Sequence, residues 1–406
     1  MATEMTLTSL VASVDATLKT KGEQPFTIFR VPAYVRDANR TAYEPRMVSI
    51  GPYYHGAAAL GAMDDHKRRC LHDLLSRNAA VSSSVLIQEM RSLEERARAC
   101  YSERPFLGPD DFVQMLLLDG CFILEFFFKW HTKEADPLCD VGWSLTLVRS
   151  DLLLLENQIP FFVIEKLYDV VTGVQQASTS DIHHLLDLYY ESFVPKLQAP
   201  EEASSSATTT GQAEKRAARL KMIPRATEMS AAGVTFVRRS PAAARGDAYD
   251  VAFDGRRGVM EIPHMVIDEM KRPLLVNLMA LEQSQGAAVP VLTSYVSLMG
   301  MLVRTEADVE LLHRCGVLDN LLADDKEAAW FFNHLGHGGA MDYSRHVFAG
   351  LCEDVQRYCG TWWHRNRAKL MQDYFGSPWT VISVVAAGLG LALTAIQAYF
   401  AAFPRK

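Results

Sequence analysis

The sequence predicts a mainly α protein with a small β element: a single large helical domain followed by one C-terminal transmembrane helix. Three observations predict it. Apolar residues recur at three- and four-residue spacing over most of the chain, as helices with one buried face require. Strand-like alternation is confined to two stretches, AAGVTFVRRS and DAYDVAFDGRRGVMEIPHMVI. From Trp379 to Phe403 there are 25 residues without a charge.

The averages suit a folded body. The 406 residues carry a formal net charge of −7, with 49% hydrophobic and 22% charged residues. These values exclude a collagen-like, a wholly disordered or a many-span membrane chain. A mildly acidic chain also has no pervasive basic field to neutralise phosphates, which argues against nucleic-acid binding.

The N-terminal segment, residues 1–24, has Glu4 early and no basic start, and Asp15 cuts its best apolar run. That pattern reads as an amphipathic or frayed helix and not as a secretory signal peptide. The first part of the helical domain, residues 25–198, opens with Pro25, Pro32, Pro45 and Pro52. Prolines at this density deny a long helix, so 25–60 reads as ordered and turn-rich. Helical periodicity follows over Met63–Ala80, Ser83–Tyr101 and Pro109–Trp130. Asp110 and Asp111 sit where a helix N-terminus favours acids. Residues 144–171 are nearly all apolar through their centre and read as a buried helix interrupted just before Pro160. Asp181–Pro195 reads as another helix with Asp181 as its cap.

Residues 199–218 are low-complexity and lack large apolar side chains, which marks a linker or insertion. The second part of the helical domain, 219–376, starts with the strand-like stretches, with turns at Asp254-Gly255 and Arg257-Gly258. From Arg272 the pattern is helical again up to the uncharged tail.

The tail, 379–403, would reach about 37 Å as a helix against roughly 30 Å of hydrocarbon. Its ten Val, Ile, Leu and Phe residues give at most about −3 to −6 kcal/mol of insertion energy. Trp379 suits one interface and Tyr399 the other. Only Pro404, Arg405 and Lys406 follow, so the expected form is a C-terminal anchor. Arg365, Arg367 and Lys369 before the span against Arg405 and Lys406 after it only slightly favour a cytosolic body. Ser383, Ala387, Gly390, Thr394, Gln397 and Ala401 recur on one face as small or polar side chains. Such a stripe lets helices approach closely, and Gln397 can hydrogen-bond across a pair, so it is a candidate homodimer face within the bilayer. Trp362 and Trp363 with Arg357, Arg365, Arg367 and Lys369 suit apposition to an anionic leaflet.

The seven cysteines are loosely spaced, odd in number and lack a C-x-x-C pair, which fits a reducing compartment. Asn39-Arg40-Thr41 matches a glycosylation acceptor pattern, a tripeptide that arises often by chance. His66, Cys70 and His72 could supply part of a zinc set but lack a recognisable fourth ligand. His183 and His184 point to different helix faces, one packed and one exposed, and His334 and His337 belong to a glycine-rich helix end. No phosphate-loop, zinc-protease or nucleophile-elbow string occurs, and no metal or cofactor is expected.

Glu156-Asn157-Gln158 is the most informative polar cluster, because burying an unpaired carboxylate costs several kcal/mol. The favoured reading is a structural polar hub that supports the break at Pro160. The other is a ligand-binding or catalytic carboxylate, which would make the chain an enzyme with an unrecognised site around Glu156.

Several strings carry a family resemblance. FRVPAYVRDANRTAYEPRMVSIGPYYHG, DGCFILEFF, DLLLLENQIPFFVIEKLY, HHLLDLYYESFVP, MEIPHMVID and LLVNLMALEQS run in order along the chain. Together with the tail YFGSPWTVISVVAAGLGLALTAIQ they resemble the plant domain-of-unknown-function 247 family, also grouped as UPF0481-type proteins. The resemblance implies a single-pass membrane protein with a C-terminal span and no established enzymatic activity. Some grass members of the family are implicated in self-incompatibility. The expectation is therefore a non-catalytic plant protein at the plasma membrane or an endomembrane, acting in recognition or signalling through an unidentified protein partner.

Overall fold

In the computed structural model the chain folds as a mainly helical protein with two small sheets. The structure describes residues 26–134, 136, 138, 141–175, 181–194, 222–239, 249–286, 289–336, 345–361, 366 and 378–402. The expectations for 1–24, the linker 199–218, the Trp362-Trp363 pair, Arg365, Arg367, Lys369, His337 and Phe403 lie outside the described residues. The helical body divides into two compact units. The first comprises the described residues up to Arg36 together with Tyr43–Tyr189, and the second Asp37–Ala42 together with the described residues from Tyr190 on.

The first unit begins with irregular chain and two short helices, α1 (Ala33–Ala38) and α2 (Arg40–Tyr43), of which Asp37–Ala42 belong to the second unit. A 3₁₀ turn over Ala58–Met63 leads into α3 (Asp64–Arg77), followed by α4 (Ser83–Ala99) and α5 (Pro109–Thr132). Pro109 at the first turn, Asp110 and Asp111 beside it, and Lys133 in a left-handed conformation after the last turn define the ends of α5. Apolar residues surround α5: Phe112, Leu116, Cys121, Phe122 and Ile123 are all fully buried. It is therefore the centre of this unit, with α3, α4 and α7 (Phe161–Thr172) packed on it. Gly120 explains the close approach of α7, since a Cβ there would lie 2.3 Å from Leu167 Cδ1.

Between α5 and α7 lies α6 (Ser144–Asp151). The sequence places a break just before Pro160; the helix in fact stops at Asp151, and residues 152–160 form a buried loop. The last helix of this part, α8, runs Leu185–Phe193 and not from Asp181. Its start is set by Asp187, whose Oδ2 accepts from the His183 amide at 2.9 Å. The boundary between the units falls within α8.

The second unit opens with α9 (Ala226–Ala232), which ends at Gly233 in a left-handed conformation and turns into β1 (Thr235–Arg239). With β2 (Ala252–Asp254) and β3 (Val259–Pro263) it makes a sheet in the order β1-β3-β2. The β2–β3 pair is an antiparallel hairpin, whereas β1–β3 is parallel. Asp254 Oδ1 accepts from the Arg256 and Arg257 amides and Gly258 has φ +68°, which close the hairpin. β4 (Met265–Ile267) pairs in parallel with β5 (Leu318–Asn320). The sequence reading has helix through 318–320, because a three-residue strand is too short to show alternation. Helices α10 (Lys271–Ser284), α11 (Val291–Leu302), α12 (Glu306–Arg314), α13 (Asp325–Leu335) and α14 (Ala349–Gly360) complete the unit's core.

The chain closes with α15 (Pro378–Ala402). Its described side chains, Ala386–Ala398, are all exposed. Among the described residues no helix is long and apolar enough to cross a membrane, so the span expected over 379–403 is not shown.

Candidate functional site

The polar cluster at Glu156, Asn157 and Gln158 sits in the buried loop between α6 and α7, each residue at most 1% exposed. A buried loop must satisfy its own backbone polar groups, since no water reaches them. The side chains do this locally. Gln158 Nε2 donates to the carbonyls of Leu152 and Leu154, both at 2.8 Å. Asn157 Nδ2 donates to the Asp151 carbonyl at 2.9 Å. Gln158 Oε1 accepts from the Leu185 amide, and its carbonyl accepts from the Tyr101 hydroxyl at 3.1 Å.

The same loop reaches a segment more than a hundred positions upstream. Glu156 Oε1 accepts from the Val31 amide at 2.8 Å. Asp151 accepts from three consecutive amides, Arg46, Met47 and Val48, at 3.0, 2.7 and 2.9 Å. Asn157 is bonded on both sides of Ser49, accepting from the Ile50 amide at 2.7 Å and donating to the Val48 carbonyl at 3.0 Å. Asp119, projecting from α5, accepts from the Gly51 amide at 2.8 Å. Buried Lys67 of α3 donates to Asp119 Oδ1 and to the Ser49 carbonyl, each at 2.6 Å. Gly51 is required here: its φ is +75°, and a Cβ would lie 2.2 Å from the Gln158 carbonyl oxygen. Segment 44–53 has neither helix nor strand, so these side chains stand in for a ladder partner.

The second Glu156 oxygen accepts from Tyr54 Oη at 2.7 Å and lies 3.5 Å from the Arg36 guanidinium and 3.9 Å from that of Arg30. Arg30 in turn lies over the Tyr53 and Tyr54 rings at 5.0 and 5.9 Å. Both carboxylate oxygens are thus engaged by fixed protein donors. Burial, then the Glu156 charge, pushes the Tyr54 and Tyr43 hydroxyls well above the ordinary tyrosine range. Burial likewise pushes Asp151 up, against the opposing pull of its three amide donors. His184 is held neutral: burial lowers it to about 4, Nε2 faces the Thr27 carbonyl at 3.2 Å, and Nδ1 accepts from the Asp187 amide at 3.1 Å. Its neighbour His183 is exposed.

The structure therefore brings Glu156, Asn157 and Gln158 together with Asp119, Asp151, Lys67 and His184. In the sequence Asp151 stands out as a charge within a leucine run, and Asp119 as a charge within the apolar stretch of α5. Lys67 carries no comparable signal, because its helix also presents a polar face, and His184 lies just before α8, where nothing local marks which of the two adjacent histidines is buried.

Other candidates are dispersed. His66 is buried 3.6 Å from Asp136, Cys70 is buried and His72 is exposed. Among the described residues no group of three or more His, Cys, Asp or Glu side chains could hold a metal ion. Asn39 is 5% exposed and its Oδ1 accepts from Arg272 at 2.7 Å, so the acceptor tripeptide is folded into the second unit. On α15, Ala387, Gly390, Thr394 and Gln397 are exposed, and Thr394 Oγ1 donates back to the Gly390 carbonyl at 2.7 Å. The side chains of Trp379 and Ser383 lie outside the described residues.

Two curated relatives extend over nearly the whole chain. A UPF0481 protein of Arabidopsis thaliana is 29% identical over 94% of this chain and 87% of its own. A putative UPF0481 protein of the same plant is 22% identical over 96% of this chain and 93% of its own. No solved structure matches the chain. The DUF247 family, described as a plant protein of unknown function, matches residues 28–180 and 172–393. The two matches together take in every residue of the polar hub, and the chain belongs to this family.

Proposed function

We propose that this is a membrane-anchored plant protein of the DUF247 type, non-catalytic, that acts in recognition or signalling through a protein partner, with self-incompatibility or another cell-recognition role as its concrete form. The observation that carries the anchor is α15. The stretch Trp379–Phe403 has no charge, and Leu389, Leu391, Leu393 and Ile396 are 51–74% exposed. Large apolar side chains this exposed on one helix call for an apolar surrounding. A bilayer fits the uncharged length, about 37 Å as a helix. The non-catalytic reading is supported by Glu156, whose oxygens are engaged by the Val31 amide and the Tyr54 hydroxyl. Such a carboxylate has a structural task and no open side for a substrate.

Membranes from cells expressing the full chain provide the test. An integral anchor keeps the protein in the pellet through alkaline carbonate extraction, and protease protection of an N-terminal tag reports which side the body faces. Release by carbonate would overturn the anchor. Gly390→Leu with Gln397→Leu should weaken self-association in a bilayer reporter if the small-residue face of α15 pairs two copies.

A further inference from the structure

The loop that joins α4 to α5 in the first unit sets one aromatic ring in solvent. Phe106 is fully exposed, while its neighbours turn inward: Pro105 is buried and Leu107 packs against the core. One side chain holds this shape. Arg98, near the end of α4, donates from Nη1 to the Pro105 and Leu107 carbonyls at 3.0 and 3.1 Å, gripping the backbone on both sides of Phe106. Arg98 is itself fixed, since Glu94 accepts from its Nε at 2.7 Å and its guanidinium lies 4.3 Å from the centre of the Phe112 ring. The Gly108 carbonyl accepts from the Phe112 amide at 2.9 Å, which seats the loop on α5.

A single exposed apolar side chain is ordinary on a protein surface. Phe106 differs in its mount. Pro105 and Pro109 have no N–H, and the carbonyls of Pro105, Leu107 and Gly108 already accept within the molecule. Covering the tip with an apolar wall therefore strips few polar groups of water, and the fixed loop has little freedom left to lose. The surroundings select the wall. Glu103, Asp110 and Asp111 flank the tip, all exposed, against Arg104 as the exposed cation of that stretch. Asp111 Oδ2 stands 3.5 Å from where a Cβ on Gly108 would lie. Arg91 engages Asp110, and Arg30 Nε lies 3.8 Å from Glu103. An acidic flank is repelled by an anionic leaflet and complements a basic protein surface.

Resting on the recognition role above, we propose that Phe106 is the anchor of an interaction surface and enters an apolar, ring-sized pocket with a basic rim on a partner protein. The ring supplies affinity as a buried aromatic hot spot, and the Arg98 grip presents it preorganised. Glu103 and Asp111 meet the Lys or Arg side chains of the rim and set orientation.

The test places p-benzoylphenylalanine at position 106 of the full chain, expressed in plant cells and irradiated. The expected result is a covalent adduct with a protein that, once purified, binds the parent chain. The same protein should bind Phe106→Ala at least about thirtyfold more weakly, while Phe106→Leu loses less. Both variants should melt with the parent, since the ring stands outside the core. Affinity for the parent should fall as salt is added; an affinity indifferent to salt would overturn the basic rim. An adducted protein that binds Phe106→Ala as well as the parent, or adducts with lipid alone, would overturn the anchor. The same probe in place of Tyr34, Trp143 or Trp330, all exposed, separates this failure from that of the recognition role. Protein adducts there but none at 106 overturn the anchor only, and protein adducts at none of these positions overturn both.

Discussion

The two units use buried carboxylates for different tasks. In the first, Glu156 and Asp151 bind amides 103 to 125 positions away in the chain, on a segment that has no ladder or helix of its own. In the second, Glu282 caps the helix that follows it. It accepts from the Leu292 amide and from the Thr293 amide and hydroxyl, with the Tyr190 hydroxyl as a fourth donor. Asp308 closes the start of α12 through the Thr305 amide and hydroxyl and also takes the Thr227 amide. The same chemistry thus holds an irregular segment in the first unit, where Asp187 also caps α8, and trims helix ends in the second. Substitutions should therefore hurt unequally: a capped helix keeps its internal bonds, while an irregular segment held by side chains has nothing else.

The largest expected effect is Asp151→Ala. It orphans the Arg46, Met47 and Val48 amides at once, and a loss of about 3–5 kcal/mol in denaturant unfolding is predicted. Glu156→Ala should follow at about 2–4 kcal/mol, with lower soluble yield, because it strips the Val31 amide and leaves Arg36 and Arg30 without their buried counter-charge. If either variant unfolds as the parent does, the contrast between the units fails.

Acid should act on both units through neutral histidines. Burial lowers His184 in the first unit and His346 in the second to about 4. For a base with a depressed folded value, stability is fully present above the unfolded value near 6.5 and is lost as pH falls from there towards 4. Each contributes up to about 3 kcal/mol over that window. Melting temperatures measured from pH 7 down to 4.5 should therefore fall steadily. His184→Gln should flatten the part of the slope that belongs to the first unit.

Substitutions at the helix caps of the second unit should have smaller effects. Glu282→Gln keeps an acceptor for α11 and should cost about 1–2 kcal/mol, less than Glu156→Ala. Thr305→Ala removes one half of the capping box of α12 and should cost about 1 kcal/mol, readable as a small shift in the urea midpoint.

Much of this was legible in the sequence, and the gaps have physical causes. The spacing of apolar residues places α3, α4 and α5 within a few residues of their observed ends, because long amphipathic periods are unambiguous. The prolines of 25–60 correctly deny a long helix, but no local pattern says what holds such a segment. Its anchors are contributed by residues far along the chain. Glu156-Asn157-Gln158 stands out because polarity inside an apolar run demands a partner, while the identity of that partner is a tertiary fact. The parallel pairs β1–β3 and β4–β5 are likewise long-range, and β5 is too short to announce itself.

The hub makes an irregular segment part of the rigid core of the first unit. Native-state amide exchange of the intact chain measures this directly at Val31, Met47, Val48, Ile50 and Gly51. Protection should equal that of the buried helix α5, with exchange only through global unfolding. Exchange of these amides at the rate of an open loop, while α5 stays protected, would contradict it.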